Sequence, residues 1–344
     1  MTLLDSKVTT TNGIVAGARG KRTRRGTISW RGIPFAAPPV GAKRFRAPEP
    51  APAWPGVRDC TQLGKAAMQE KRFTAVAPGK FAPMGEDCLS LNVFSPEESS
   101  STPRPVMVFI HGGAFILGTA ATPLYDGSFL ARSRDVIVVT VQYRFGPFGL
   151  LDFGAYATDD RPFDVNCGLR DQVAALEWVR DNIAAFGGDP AQVTVFGESA
   201  GGSSVLSLLS TPAAAGLFSH AIAQSPAAEL AVEQNEARIY ADEYLRLLRD
   251  PQHRSAGVER TEPPIEPEEA QRLLSRANPA ELLRAGDRLM KFTVHTGAPD
   301  PIPFCPVVDG EYFPRSPLAA ARAGTTLPVP LIIGTNREEG QLFA

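Results

Sequence analysis

Cysteine is scarce in this chain. Four occur in 344 residues (Cys60, Cys88, Cys167 and Cys305), with no close pair among them. That count excludes a disulfide scaffold, and the spacing excludes a structural metal site, so buried reduced thiols in a cytoplasmic protein are expected. Long apolar runs are missing too; none approaches the roughly 18 residues that span a bilayer. The start, MTLLDSKVTTTNG, lacks a basic stretch followed by an apolar one, so no signal peptide is expected and no membrane association. An excess of charge of one sign is also absent. The formal net charge is -2, which argues against a nucleic-acid partner. The run Arg19, Lys21, Arg22, Arg24 and Arg25, interrupted by Gly20 and closed by Gly26, reads as a solvated hairpin tip. With 43% hydrophobic and 21% charged residues, the remainder is that of a globular protein large enough for a substantial core.

Residues 7–60 hold short β-prone pieces broken by Gly and Pro. GIPFAAPPVG (32–41) is too rich in Pro for a helix and reads as an ordered extended loop. Residues 61–87 have weak periodicity and read as a surface loop. LSLNVFSP (89–96) alternates and reads as a strand. VMVFI (106–110) and VIVVTV (136–141) are continuous β-branched runs, as in strands buried on both faces. Val173, Leu176, Val179, Ile183 and Phe186 recur at helical spacing, and GGDP stops that helix. VTVFG (193–197), the helix start AGGSSVLSLLS (200–210), HAIAQ (220–224) and PLIIG (330–334) continue the alternation. Strand and helix in turn predict an open, mostly parallel sheet with helices on both faces. Residues 229–290, charged and helix-prone, read as a helical cap-like insertion within a single domain spanning 1–344.

Gly197-Glu198-Ser199-Ala200-Gly201 follows a buried strand and opens a helix. That setting predicts a tight turn lifting the Ser199 hydroxyl to the carboxyl end of the strand. The Ala200 N–H, at a helix N-terminus, would face developing negative charge. His111-Gly112-Gly113-Ala114 directly follows VMVFI and predicts a loop of backbone donors, with His111 as a structural residue. Gly334-Thr335-Asn336-Arg337-Glu338-Glu339-Gly340 places carboxylates just past another strand.

Together, RGIPFAAPPVG (31–41), RFRAPEP (44–50), EDCLSLNVFSP (86–96), FIHGGAFILG (109–118), YRFGPFG (143–149), GLRDQVAALEWVRDNIAAFGGDP (168–190) and VTVFGESAGG (193–202) resemble the type-B carboxylesterases. This is the α/β-hydrolase branch that includes cholinesterases, and the chain is most similar to its bacterial para-nitrobenzyl esterases. The resemblance implies an α/β-hydrolase fold and hydrolysis of a small-molecule carboxylic ester without a metal or cofactor. It implies Ser199 as nucleophile, Gly113, Ala114 and Ala200 as oxyanion-hole donors, and Glu339 as the acid that orients a catalytic His. Glu198 would lie beside the nucleophile and Ser225 near the triad, with Glu338 turned to solvent. Ion pairs Arg44–Glu86 and Arg144–Asp171 are implied as well.

Several positions depart from that pattern. The family's catalytic His follows the acid, whereas His111, His220, His253 and His295 all precede Glu339. The expectation is a chain lacking the family's C-terminal portion, with a sheet edge exposed and activity impaired. His295 is the one substitute worth testing. Pro226 replaces a usual Gly, and Ser90 often has an aromatic counterpart. Cys88 lacks its bridge partner, since that position falls near Ala67 and Cys60 lies earlier. Trp30, Trp54 and Trp178 match scaffold positions, and 61–87 has no Trp, which argues against a quaternary-ammonium substrate. An esterase-like adhesion domain is the non-enzymatic alternative, opposed by the presence of Ser199.

Overall fold

The apolar runs form the middle of an eight-stranded sheet. A computed structural model describes residues 3–77, 79–250, 252, 263–296 and 302–343. The sheet strands are β1 (Ala18–Arg19), β2 (Thr27–Pro34), β3 (Ser90–Pro96), β4 (Arg104–Ile110), β5 (Ile137–Val141), β6 (Gly188–Glu198), β7 (His220–Gln224) and β8 (Leu331–Gly334). Their order is β8-β7-β6-β4-β5-β3-β2-β1. From β8 to β5 all neighbours are parallel, and the ladders of β3, β2 and β1 are antiparallel.

Helix placement follows from connection handedness. The chain leaves β4, passes through α1 (Ser128–Arg134) and returns as β5 on one side of β4. It then crosses through α2 (Cys167–Asn182) to β6 on the other side, and continues through α3 (Ala200–Leu209) to β7. Right-handed crossovers in opposite directions put the helices on opposite faces. The packing agrees: Val138 meets Phe94 and Ala131 of α1. Its neighbours Ile137 and Val139 point the other way and join Leu176, Val179 and Val205 of α2 and α3.

Three local readings need correction, and one strand is buried more fully than its alternation suggests. The strand expected over 89–96 forms as Ser90–Pro96. β3 lies between β5 and β2, and every residue from Leu91 to Pro96 is buried. Its polar members mimic alternation because they are paired inside: Asn92 donates to Thr140 Oγ1 (2.9 Å) and accepts from Gly32 N (3.0 Å). The stretch 32–41 is not loop throughout, since its first three residues finish β2. Segment 61–87 carries a 3-10 turn (Lys71–Thr74) and a small ladder of Ala75–Ala77 with Lys80–Phe81, and it buries Ala66, Ala67 and Gln69. The helical insertion comprises α4 (Gln234–Arg249), α5 (Pro267–Arg276) and α6 (Pro279–Thr296), so it runs past residue 290. Its base is closed by Val232–Glu233 pairing with Val307–Val308. The basic run 19–25 does turn at the tip of the β1–β2 hairpin, where Arg24 pairs with Asp126 (2.8 Å).

Candidate active site

Four parallel strands end side by side. Ile110 is opposite Gly197, Glu198 is opposite Gln224, and Gln224 is opposite Gly334. The residues that follow these ends are His111–Ala114, Ser199, Ser225 and the Glu339 turn. Strand order reverses about β4, and the carboxyl ends at such a reversal are where open α/β sheets bind ligands.

Ser199 stands between β6 and α3 with φ 58° and ψ -126°. A residue with a side chain is strained there, by about 1–3 kcal/mol, and must be held from outside. Ser199 N donates to Gln224 O (2.9 Å), and Ser199 O accepts from Ser203 N (2.9 Å) and Ser203 Oγ (3.3 Å). The turn is tight because small residues permit it. A Cβ on Gly201 would lie 2.1 Å from Ile110 O, and one on Gly197 would lie 2.5 Å from Gly201 backbone.

The loop after β4 lies against this elbow. A Cβ on Gly112 would come within 2.5 Å of Glu198 O and 3.1 Å of Ser199 Cβ. Gly113, Ala114 and Phe115 all have positive φ (118°, 51° and 57°), a conformation that Ala and Phe disfavour and that the surrounding fold must hold. Among the described residues no bond from the Gly113 or Ala114 N–H to another protein group occurs. Ala200 is the first residue of α3, so its N–H has no intrahelical acceptor.

His111 is fully buried beneath the loop. Its Nδ1 is 2.9 Å from Gly112 O and its Nε2 is 3.4 Å from Gln142 Nε2. The tautomer protonated at Nδ1 satisfies both contacts, donating to the carbonyl and accepting from the amide. Burial pushes its pKa down to about 4, so the ring is neutral near pH 7. Tyr143 stacks on it at 4.6 Å and donates from its hydroxyl to His111 O (2.7 Å).

Glu339 opens the last 3-10 turn. Ser225 Oγ donates to its Oε2 (3.0 Å), as does Asn336 N (2.5 Å), and Asn336 Nδ2 donates to Ser225 Oγ (3.2 Å). Glu338 is exposed beside it. Glu198 has an open stem, yet its carboxyl is held above the ordinary carboxylate range. Partial desolvation is the larger cause, and the negative charge of Glu339 the smaller. The structure thus brings Ser199, Gly113, Ala114, Ala200, Glu198, Ser225 and Glu339 to one end of the sheet.

The histidines are placed differently. His220 begins β7, at the opposite end of that strand from Gln224, with its ring on Ser219 Oγ (3.1 Å). His253 lies outside the described residues, as does the side chain of His295, whose backbone belongs to the last turn of α6.

Both ion pairs that the resemblance implies are formed. Arg144 and Asp171 are buried and joined by two side-chain bonds (2.8 and 2.7 Å). Arg44 grips Glu86 with two nitrogens and reaches Leu274 O (3.1 Å) and Ala277 O (3.0 Å) of α5 and its cap. The four cysteines are free and buried, and burial raises the Cys60 thiol to about 11. Among the described residues no helix is long and apolar enough to cross a membrane.

Gln69 was not visible to sequence reasoning. It accepts from Gly118 N (2.8 Å) and donates to Gly118 O (2.7 Å), clamping the far end of the 111–118 loop. An isolated Gln in a non-periodic segment carries no signal of this. Asn336 lies inside the 334–340 turn and carries no signal of its role, because Asn in a turn is ordinary.

Residues 4–344 match the family model described as "Carboxylesterase family". The chain is 42% identical over 339 residues to a para-nitrobenzyl esterase of Bacillus subtilis (strain 168), covering 98% of this chain and 63% of that protein. It is 39% identical over 329 residues to a cocaine esterase of Oryctolagus cuniculus, covering 92% of this chain and 55% of that one. A solved para-nitrobenzyl esterase superposes with a TM-score of 0.84 at 40% identity, covering 98% and 64% of the two chains. The chain therefore spans between 55% and 64% of the length of these relatives. The solved relatives share its α/β-hydrolase fold, and by family model, identity and structure alike the chain belongs to the carboxylesterase family.

Proposed function

We propose that this chain carries the nucleophile, oxyanion hole and acid of a serine carboxylesterase acting on small-molecule esters. The observation behind this reading is the row of strand ends that sets a strained Ser199, the unbonded Gly113 and Ala114 N–H groups and the Ser225-held Glu339 side by side. Ser199 Oγ would attack the ester carbonyl while its proton passes to a base. The carbonyl oxygen, now negative, would sit among the N–H groups of Gly113, Ala114 and Ala200. Collapse would expel the protonated alcohol and leave an acyl-serine, and water would then attack that acyl group and free the carboxylate. Glu339 would orient the imidazole base, with Ser225 and Asn336 fixing the carboxylate. Glu198 would add negative charge beside a protonated imidazole. No cofactor enters this scheme.

A second reading rests on the histidines. His111 is committed to the loop and His220 lies at the wrong end of its strand. Neither of these histidines, whose side chains are described, can serve as base, and a serine hydroxyl without one is a weak nucleophile, so on this reading the chain would turn over p-nitrophenyl esters very slowly and His295→Ala would change nothing. Both readings make Ser199 the acylated residue. A fluorophosphonate probe should label it, and labelling unchanged in Ser199→Ala would overturn the assignment. Robust turnover by 1–344, abolished by Ser199→Ala, would reject the second reading.

A further inference from the structure

The helical insertion contains a cleft of about 610 Å³ between α4, α5 and α6, and none of its lining residues belongs to the row of strand ends. Four arginines line it: Arg272 and Arg276 of α5, Arg284 and Arg288 of α6. Each pair is four residues apart on one helix, so like charges stack on neighbouring turns, which weakens a helix. Arg272, Arg276 and Arg284 are exposed, and no ion-pair partner of theirs occurs among the described residues. Arg288 is steadied by carbonyls, reaching Leu247 O and Asp250 O at 3.4 Å.

The acids that line the same cleft are engaged elsewhere. Glu269 faces Arg249 (3.9 Å). Glu281 accepts from Asn278 N (2.8 Å) while Glu281 N donates to Asn278 Oδ1 (3.1 Å), a reciprocal cap on α6. Beneath the guanidinium groups the wall is apolar, built from Leu247, Leu248, Leu273 and Ala277. A cationic rim, four arginines against two glutamates, over an apolar floor matches an anion that carries a hydrocarbon chain. The volume is that of a small-molecule site. A bilayer surface fits less well, because the apolar floor is recessed and the apolar residues Ala270 and Leu274 of α5 are buried.

We propose that this cleft binds a monomeric long-chain carboxylate, the head group on Arg272, Arg276 and Arg284 and the chain along Leu247, Leu248 and Leu273. The proposal does not depend on the esterase reading, since it concerns other residues and needs no turnover.

The test uses the whole chain and dodecanoate. Calorimetry should show one site, and a dodecanoate carrying a diazirine near its tail should crosslink to peptides of α4, α5 and α6. Replacing Arg272, Arg276 and Arg284 by Gln should weaken binding about tenfold or more, since charge-assisted bonds are lost. Replacing all three by Lys should keep it within about threefold, because the charge remains. Dodecanol should bind about tenfold more weakly than dodecanoate. The unliganded Gln variant should melt at the same temperature or higher, because like-charge repulsion is removed. Equal affinity in the Gln variant, crosslinks confined to other elements, equal binding of dodecanol, a clear fall in the unliganded melting temperature, binding seen only with anionic vesicles, or dodecanoate acting only through dimerisation would each overturn the proposal.

Discussion

The two ends of the candidate site are built to different standards. On the Ser199 side every residue of α3 is buried, and the elbow is tied to β7 and to the loop after β4. On the Glu339 side the supporting strand β8 is open to solvent along its length, with Ile332 68% and Ile333 53% exposed. The exposure of β8 is that of an edge strand with β7 as its one neighbour in the sheet, whereas β6, which carries Ser199, lies between β7 and β4. Ser199 occupies a conformation its own residue type disfavours, so the surroundings must over-determine it. Glu339 sits in an ordinary 3-10 turn and needs only a hydroxyl and one backbone N–H to fix its carboxylate.

That contrast can be broken most severely at the elbow. Gly201→Ala sets a methyl 2.1 Å from a backbone oxygen that cannot swing away. A loss of about 3 kcal/mol in urea unfolding is expected, with loss of probe labelling at Ser199. Next is the pH dependence of the loop side. His111 has a folded pKa of about 4 against 6.5 ordinarily, so below pH 6.5 the unfolded chain takes up a proton that the folded chain refuses. Its contribution is present above pH 6.5 and lost as pH falls towards 4, about 3 kcal/mol in all. His111→Gln should flatten that limb in urea titrations at stepped pH.

The acid side should respond more gently. Glu339→Gln should change stability by about 1 kcal/mol or less. It should also let Glu198 titrate at lower pH, by carboxyl NMR, since a like charge is gone. The sign is that of a raised carboxyl: the folded state is favoured at low pH, and the advantage is lost as pH rises through the raised value. Removing Glu339's charge shrinks that loss, while desolvation keeps Glu198 above its usual range. Smallest of all is Ile332→Lys on β8, expected within about 0.5 kcal/mol. Val195→Lys on buried β6 should instead unfold the chain, and similar midpoints for the two variants would remove the contrast.

Much of this was legible in the chain itself. β-branched runs at 106–110, 136–141 and 193–197 announce strands buried on both faces, because only such strands are continuously apolar. Gly197 and Gly201 announce the elbow around Ser199 because a side chain at either place would collide with neighbouring backbone. Position 92 misled, since a buried Asn paired across strands looks like a solvent-facing one. The pairing of Ser225 and Asn336 with Glu339 could not be read from spacing, because it depends on β7 and β8 becoming neighbours. The clamp by Gln69 is illegible for the same reason.

Arg44 carries a consequence for how force passes through the molecule. One guanidinium holds Glu86 and the carbonyl end of α5 together, and the segment containing Glu86 also holds Gly118 through Gln69. A push on the insertion at α5 must therefore either snap charge-assisted bonds or drag Glu86 along. Through that linkage, α5 and the loop that faces Ser199 are both hydrogen-bonded to one intervening segment, 61–87.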